Sequence, residues 1–218
     1  MKKRYTHIIW DFNGTVYDDI EAGIVSANRL LSAYGLRTFA TVEEYRASFG
    51  FPIIDYYRRM GFDFDRTPYD TLAHEWVGYY MEESKRSRVF EGAYQLLDAF
   101  HAMGLSQILL SATEREMLKG QLAELSLSDR FDETLGQDTI HGHGKSEIGR
   151  AWRARNPEAV PLLIGDTEHD AEVAAAMGVD CVLLACGHQP METLRRCGAL
   201  AVFESHTAML SALDEWLA

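Results

Sequence analysis

The chain has 218 residues, enough for one large domain or for a core with a small second one, and 47% of them are apolar, enough to bury a substantial core. Its 33 acidic residues against 21 basic ones give a net charge of -12, and with no basic patch to offset it, nucleic acid and anionic membrane are poor partners. No stretch is long enough to span a bilayer, and Ile8-Ile9-Trp10, after the basic start Met1-Lys2-Lys3-Arg4, is too short for a signal-peptide core, so the expected compartment is the cytoplasm.

The first element is a short apolar strand ending at Trp10 that halts on Asp11 and turns through Asn13-Gly14-Thr15. This places Asp11 at the carboxyl end of a buried strand with backbone N–H groups near it. The next convincing buried strand is Ser106 to Leu110. A parallel crossover needs only a dozen or so residues, so the chain between them holds an inserted domain, and it reads as helices throughout. Asp19 is placed to cap a helix carrying Ile20, Ile24, Ala27, Leu31 and Tyr34 and ended by Gly35. Thr41 and Glu44 have capping-box spacing ahead of Val42, Tyr45 and Phe49. Pro52 suits a first helical position before Ile53, Tyr57 and Met60, and Thr67-Pro68 opens a longer helix through Leu72, Trp76 and Tyr80. The expected division is an α/β core of residues 1–16 and 89–218 and a helical cap of residues 17–88, with hinges near Tyr17 and near Arg88 to Gly92.

From Gly92 onward helix and strand alternate. Helices are expected at 92–103, 113–125 (with Thr113 and Glu116 at capping-box spacing), from Lys145, at 168–177, 191–197 and 207–217. Strands are expected at 106–110, 133–136, 161–164, 180–185 and 199–203. Repeated βα units predict a doubly wound parallel sheet with right-handed crossovers. For Asp11 and Asp166 to meet, their strands must be neighbours at a topological switch point. Cys181, Cys186 and Cys197 lack metal-site spacing, and two of them lie in an apolar run, which predicts reduced thiols.

Four segments in order carry a family resemblance. Asp11-Phe12-Asn13-Gly14-Thr15 resembles the first motif of the haloacid dehalogenase superfamily, with Asn13 where an aspartate is usual. Ile108 to Thr113, a strand ending in the Ser111 hydroxyl, resembles the second, Lys145 in Gly144-Lys145-Ser146 the third, and Gly165-Asp166-Thr167-Glu168-His169-Asp170 the fourth. The resemblance covers nearly the whole chain and implies a Rossmann-like core with a helical cap, similar to that of phosphoglycolate phosphatases. It implies Asp11 as nucleophile, forming an acyl phosphate that divides one displacement into two. It implies Mg2+ held by Asp11, the backbone carbonyl of Asn13 and Asp166, with Asp170 bound directly or through water. Ser111, the N–H of Ala112 and Lys145 would bind phosphate oxygens. The expected partner is a small phosphorylated metabolite, and the protein a monomer or homodimer. The dehalogenase branch attacks carbon without metal, and the intact fourth motif argues against it.

Asn13 is the departure with consequences. An acid there protonates the leaving oxygen and later activates water, whereas Asn can only hydrogen-bond; such a group typically contributes ~10²- to 10⁴-fold. Three outcomes fit: a substrate whose leaving group needs no proton, a substitute base such as Asp18 or His169, or a phosphate-ligand binding or regulatory protein with little turnover. A phosphotransferase or mutase is a further alternative. Elsewhere, His141 and His143 read as a Gly-rich loop more than a metal pair. Tyr56, Tyr57, Trp76, Tyr79 and Tyr80 read as cap core. Arg46, Arg58 and Arg59 read as solvated unless they face the core.

Overall fold

The computed structural model describes residues 5–137 and 144–213. His141 and His143, and the last residues of the expected C-terminal helix, lie outside them. The chain opens with strand β1 (His7–Trp10) and a two-residue strand β2 (Tyr17–Asp18). Four helices follow, α1 (Ile20–Ala33), α2 (Val42–Ser48), α3 (Ile53–Arg59) and α4 (Tyr69–Glu83), and β3 (Arg88–Val89) then returns antiparallel to β2, pairing Tyr17 with Val89 and Asp18 with Arg88. The remainder alternates: α5 (Ala93–Ala102), β4 (Ser106–Glu114), α6 (Arg115–Glu124), β5 (Glu133–Gln137), α7 (Lys145–Arg155), β6 (Pro161–Gly165), α8 (Glu168–Met177), β7 (Asp180–Leu184), α9 (Met191–Leu194), β8 (Ala201–Phe203) and α10 (His206–Ser211).

Six of these strands form one parallel sheet in the order β5-β4-β1-β6-β7-β8. The chain winds from β1 outward to β4 and β5, then crosses back to β6 on the other side of β1. That reversal is the expected switch point, where helices leave the strand ends in opposite directions and open a crevice. Both faces of the sheet are covered, so its strands are continuous apolar runs whose residues alternate sides. Ile8, Trp10, Leu109, Leu162, Ile164, Val182 and Leu184 pack with Leu96, Leu97, Phe100, Leu118 and Met209 on one face. Ile9, Ile108, Leu110, Leu163 and Leu183 pack with Trp152, Val173 and Met177 on the other. A polar pair in the first layer is satisfied: Trp10 donates its indole N–H to Gln107 (3.0 Å), which donates to the Leu97 carbonyl (2.9 Å).

The helices between β2 and β3 bury a separate cluster, including Leu30, Leu31, Tyr45, Tyr56, Tyr57 and Leu72. Thr41 caps α2 as expected, accepting from the Glu44 N–H (3.2 Å), but Glu44 reaches the Ala40 N–H and not that of Thr41, so only half the capping box forms. Two expected caps are replaced. Asp19 makes no capping bond to α1, because its carboxylate is drawn elsewhere. Strand β4 runs on to Glu114, past the expected end at Leu110, and Glu114, not Thr113, caps α6 by accepting from the N–H groups of Glu116 and Met117. The extension is bulged. Between the pairs Leu110–Leu135 and Glu114–Gln137, four steps of β4 are set against two of β5, which turns Ser111, Ala112 and Thr113 out of the ladder at the carboxyl end of the sheet. α9 stops at Leu194, short of the expected Cys197.

Candidate active site

At the carboxyl ends of β1 and β6, Asp11, Asp166 and Asp170 come together with ligand oxygens all within 4.8 Å of one another. Adjacent strands bring the first two together, and the first turn of α8 brings the third. Lys145, the first residue of α7 and only 4% exposed, donates to Asp11 Oδ1 and to Asp170 Oδ1, both at 2.5 Å. Asp170 Oδ2 accepts from the Thr167 N–H and hydroxyl and from the Asp166 N–H, so this carboxylate both caps α8 and holds Lys145. Asp166 accepts from the Thr15 hydroxyl (3.0 Å) and the His188 N–H (2.7 Å). Close backbone approach makes this possible. Gly14 has φ +72°, and a Cβ there would lie 2.3 Å from Asp166 Oδ2 and 2.5 Å from the His188 ring.

The charges do not balance, since three carboxylates share one ammonium. Burial pushes Asp11 up to about 6 against the pull of Lys145, and pushes Asp166, whose carboxylate is bonded to no cationic side chain among the described residues, well above the usual carboxylate range. Asp170 is buried too, but Lys145 outweighs that and holds it low. Burial alone would strip the Lys145 proton, yet Asp11 and Asp170 together keep it charged. Oxygen-only donors with surplus negative charge in a buried pocket suit a hard divalent cation, and the cluster can hold one.

Asn13 sits beside this cluster with its amide fully engaged. Its Nδ2 donates to Asp19 Oδ2 (3.0 Å) and to the Tyr80 oxygen (2.7 Å), and its Oδ1 accepts from the Thr113 hydroxyl (3.0 Å). Asp19 also accepts from Tyr80 (2.6 Å), the Gly14 N–H (2.8 Å) and His188 Nε2 (3.2 Å). His188 is buried, which alone would lower it, but Asp19 prevails and raises it to about 9; its second ring nitrogen, Nδ1, is hydrogen-bonded to the Tyr45 hydroxyl (2.8 Å). Neither suggested substitute base touches Asn13: Asp18 is exposed, and His169 stacks on Phe51 and pairs with Glu172. Ser111 is buried, its hydroxyl accepting from the Thr113 N–H, and the β1–β4 register sets it just beyond the level of Asp11; Ala112 is exposed at the bulge.

Compared with known proteins, the chain matches the haloacid dehalogenase-like hydrolases across residues 8–184, from β1 through β7. It belongs to that family. Among its relatives are the phosphoglycolate phosphatases of Pseudomonas syringae pv. tomato, 26% identical over 83% of this chain and 70% of that one, and of Rhodobacter capsulatus, 23% identical over 96% and 97%. The haloacid dehalogenase-like family protein of Streptococcus pneumoniae has a similar fold, with TM-score 0.79 at 16% identity over 96% of this chain and 99% of that one. A hydrolase from Pseudomonas syringae gives 0.71 at 21% identity over 96% and 98%. In this haloacid dehalogenase-like hydrolase, then, the first, third and fourth sequence segments meet in one cluster, and the second reaches Asn13 through the Thr113 hydroxyl. Among the described residues no helix is long and apolar enough to cross a membrane.

Sequence reasoning missed the second layer of the site. The sequence pattern reads Tyr80 as cap core and Asp19 as a helix cap, and nothing in it points to His188. The only local signal was the pair Asp18-Asp19 directly after the first motif. Arg46 does face the core, but it reads protein, donating to the carbonyls of Gly187 (2.7 Å) and Cys186 (2.5 Å). Arg58 pairs with Asp55 and Arg59 donates to the Ser48 carbonyl, both within the helical segment. The three thiols are free, and Cys181 is buried.

Proposed function

We propose that this chain is a Mg2+-dependent phosphohydrolase acting on a small phosphorylated metabolite through a phosphoryl group carried on Asp11. The observation behind it is the buried cluster of Asp11, Asp166 and Asp170 around Lys145, built from oxygen donors with too little positive charge of its own. Asp11, Asp166 and the backbone carbonyl of Asn13 would hold the Mg2+. Asp170, whose oxygens already take four donors, would act from behind them. The ion would supply charge at the phosphoryl oxygens. Asp11 attacks phosphorus and the ester oxygen departs; water then attacks the acyl phosphate, releasing phosphate and restoring the carboxylate. Lys145 fixes the Asp11 rotamer, and Ser111 with the Ala112 N–H offers donors to the phosphoryl oxygens. Residues 17–88 would serve as the cap that excludes water and selects the substrate, over a core of residues 1–16 and 89–218. The relatives named phosphoglycolate phosphatase favour a small phosphorylated metabolite. Three free thiols fit a reducing cytoplasm.

A second reading, a phosphate-ligand binding protein with little turnover, rests on Asn13, whose N–H groups are both committed to Asp19 and Tyr80. Phosphate release from acetyl phosphate, p-nitrophenyl phosphate and phosphoglycolate, with and without Mg2+, separates the two. The hydrolase reading expects Mg2+-dependent release that Asp11→Asn abolishes. Release surviving Asp11→Asn would remove the aspartyl-phosphate route, and inertness on all three would leave the binding reading.

A further inference from the structure

Around Asn13 every polar atom is matched. The two Nδ2 hydrogens go to Asp19 and Tyr80, Oδ1 takes the Thr113 hydroxyl, and the Tyr80 hydroxyl closes the triangle by donating to Asp19. Asp19 is 2% exposed and Tyr80 7%, and the four donors on Asp19 leave it no need of water. Tyr80 comes from α4 and Asn13 from the β1 loop, so the triangle also ties the helical segment to the core. Two things follow from chemistry. An amide with both hydrogens consumed offers no donor to a departing oxygen. And a carboxylate at position 13 would set two carboxylate oxygens 3.0 Å apart, replacing a hydrogen bond with a contact between two acceptors.

We infer that positions 13 and 19 form a reciprocal amide–carboxylate pair, locked by Tyr80, which carries its single negative charge at 19 and sets the site for substrates whose leaving group departs without a proton. The substrate half of this rests on the phosphohydrolase reading; the pair does not. With an acyl phosphate, Asp11 forms its bond to phosphorus as the P–O bond to the acyl group breaks. The leaving group goes as a carboxylate, which is stable at neutral pH unprotonated. With an alkyl phosphate the same step would expel an alkoxide, and no donor at position 13 is free to protonate it. Asp19 and Tyr80 are thus positioning residues, acting through Asn13.

The geometry also specifies how the pair can be inverted. Exchanging both residues, Asn13→Asp with Asp19→Asn, reverses the three bonds among positions 13, 19 and Tyr80 and leaves the donors Thr113, Gly14 and His188 as they are, while the negative charge moves from 19 to 13. The new amide at 19 donates to the carboxylate at 13 and to the Tyr80 oxygen, Tyr80 donates to position 13, and Thr113 donates as before. Correcting Asn13 alone, as the sequence invites, creates a contact between two acceptors instead.

The test is a double-mutant cycle on the full chain, read by urea unfolding without substrate and by the ratio of phosphate release from acetyl phosphate to that from phosphoglycolate. Each single exchange is expected to lower the folding equilibrium constant roughly tenfold or more, and the double exchange to recover at least tenfold over the product of the singles. Additive losses would overturn the pair, since mere local damage at two sites does not rescue itself. In the wild type the release ratio should exceed ~10²; in the double exchange it should fall by ~10²-fold, the usual worth of a general acid. A wild type that hydrolyses phosphoglycolate as fast as acetyl phosphate overturns the substrate class. If no variant releases phosphate from either, the phosphohydrolase reading has failed, and the unfolding cycle still decides the pair.

Discussion

Among the described residues Lys145 is the only cationic side chain bonded to the carboxylates of Asp11 and Asp170, which makes Lys145→Met the sharpest probe of the cluster. Methionine keeps the helix propensity and much of the volume but deletes two bonds of 2.5 Å in a place that is 4% exposed. Removing one partner of a buried ion pair typically costs ~3–5 kcal/mol, because the other partner keeps its charge without its counterion. Repulsion points the same way. At separations of no more than 4.8 Å and an effective dielectric constant of ~20, each ionised carboxylate pair repels by at least about 3.5 kcal/mol, and protonation can relieve part of that. For a chain of this size each kcal/mol shifts Tm by ~2–4 °C, so the metal-free variant should melt about 10 °C below wild type at pH 8. Thermal unfolding in EDTA measures this directly. Adding Mg2+ should raise the variant's Tm more than the wild type's, because a bound cation then stands in for the missing ammonium. Lowering the pH should narrow the gap, since the variant's uncompensated carboxylates take up protons more readily folded than unfolded. A variant as stable as wild type in EDTA, with no larger response to Mg2+, would show that Lys145 does not balance the cluster.

Gly14→Ala forces a left-handed φ of +72° on a residue with a Cβ, costing about 1–2 kcal/mol, and drives that Cβ into Asp166 Oδ2. Calorimetric titration should show divalent-cation affinity falling at least ~10-fold; unchanged affinity would detach Asp166 from the metal site. His206 is buried, donates to the Thr15 carbonyl (2.8 Å) and stacks on Phe90, and burial lowers it to about 4 from 6.5. The unfolded chain therefore binds the extra proton first. Stability is full above pH 6.5 and is lost as pH falls toward 4, by ~3 kcal/mol in all. In His206→Gln most of that slope should vanish from urea unfolding curves taken between pH 4 and 7. Arg46→Lys cannot span the Cys186 and Gly187 carbonyls as a guanidinium does. Amide exchange in α2 should accelerate by roughly tenfold, the worth of ~1.5 kcal/mol, and an unchanged rate would mean that Arg46 does not hold the helical segment down.

Where the sequence was legible, local pattern and burial agreed. The apolar runs ending at Trp10, Leu110 and Ile164 could only be strands covered on both faces, and the long interval before Ser106 could only be an insertion, whose helices follow from apolar spacing and Gly stops. Asp11, Asp166 and Asp170 were readable because each follows a buried strand or opens a helix, and Lys145 only because it stands between segments that resemble the family's first and fourth motifs. The sequence by itself therefore determined the parallel sheet, the helical insertion, the family and the carboxylates at the strand ends. What only the tertiary structure decided was the layer behind them. Asp19 caps no helix because four donors, Asn13 and Gly14 from the adjoining loop and Tyr80 and His188 from distant parts of the chain, outbid one local N–H. Tyr80 leaves its own helix cluster for Asn13. The strand through Ser111 bulges instead of ending. Periodicity reports which face of an element is buried, but a buried polar group is placed by whichever partners satisfy its hydrogen bonds, and those partners are neighbours in space that no spacing in the chain records.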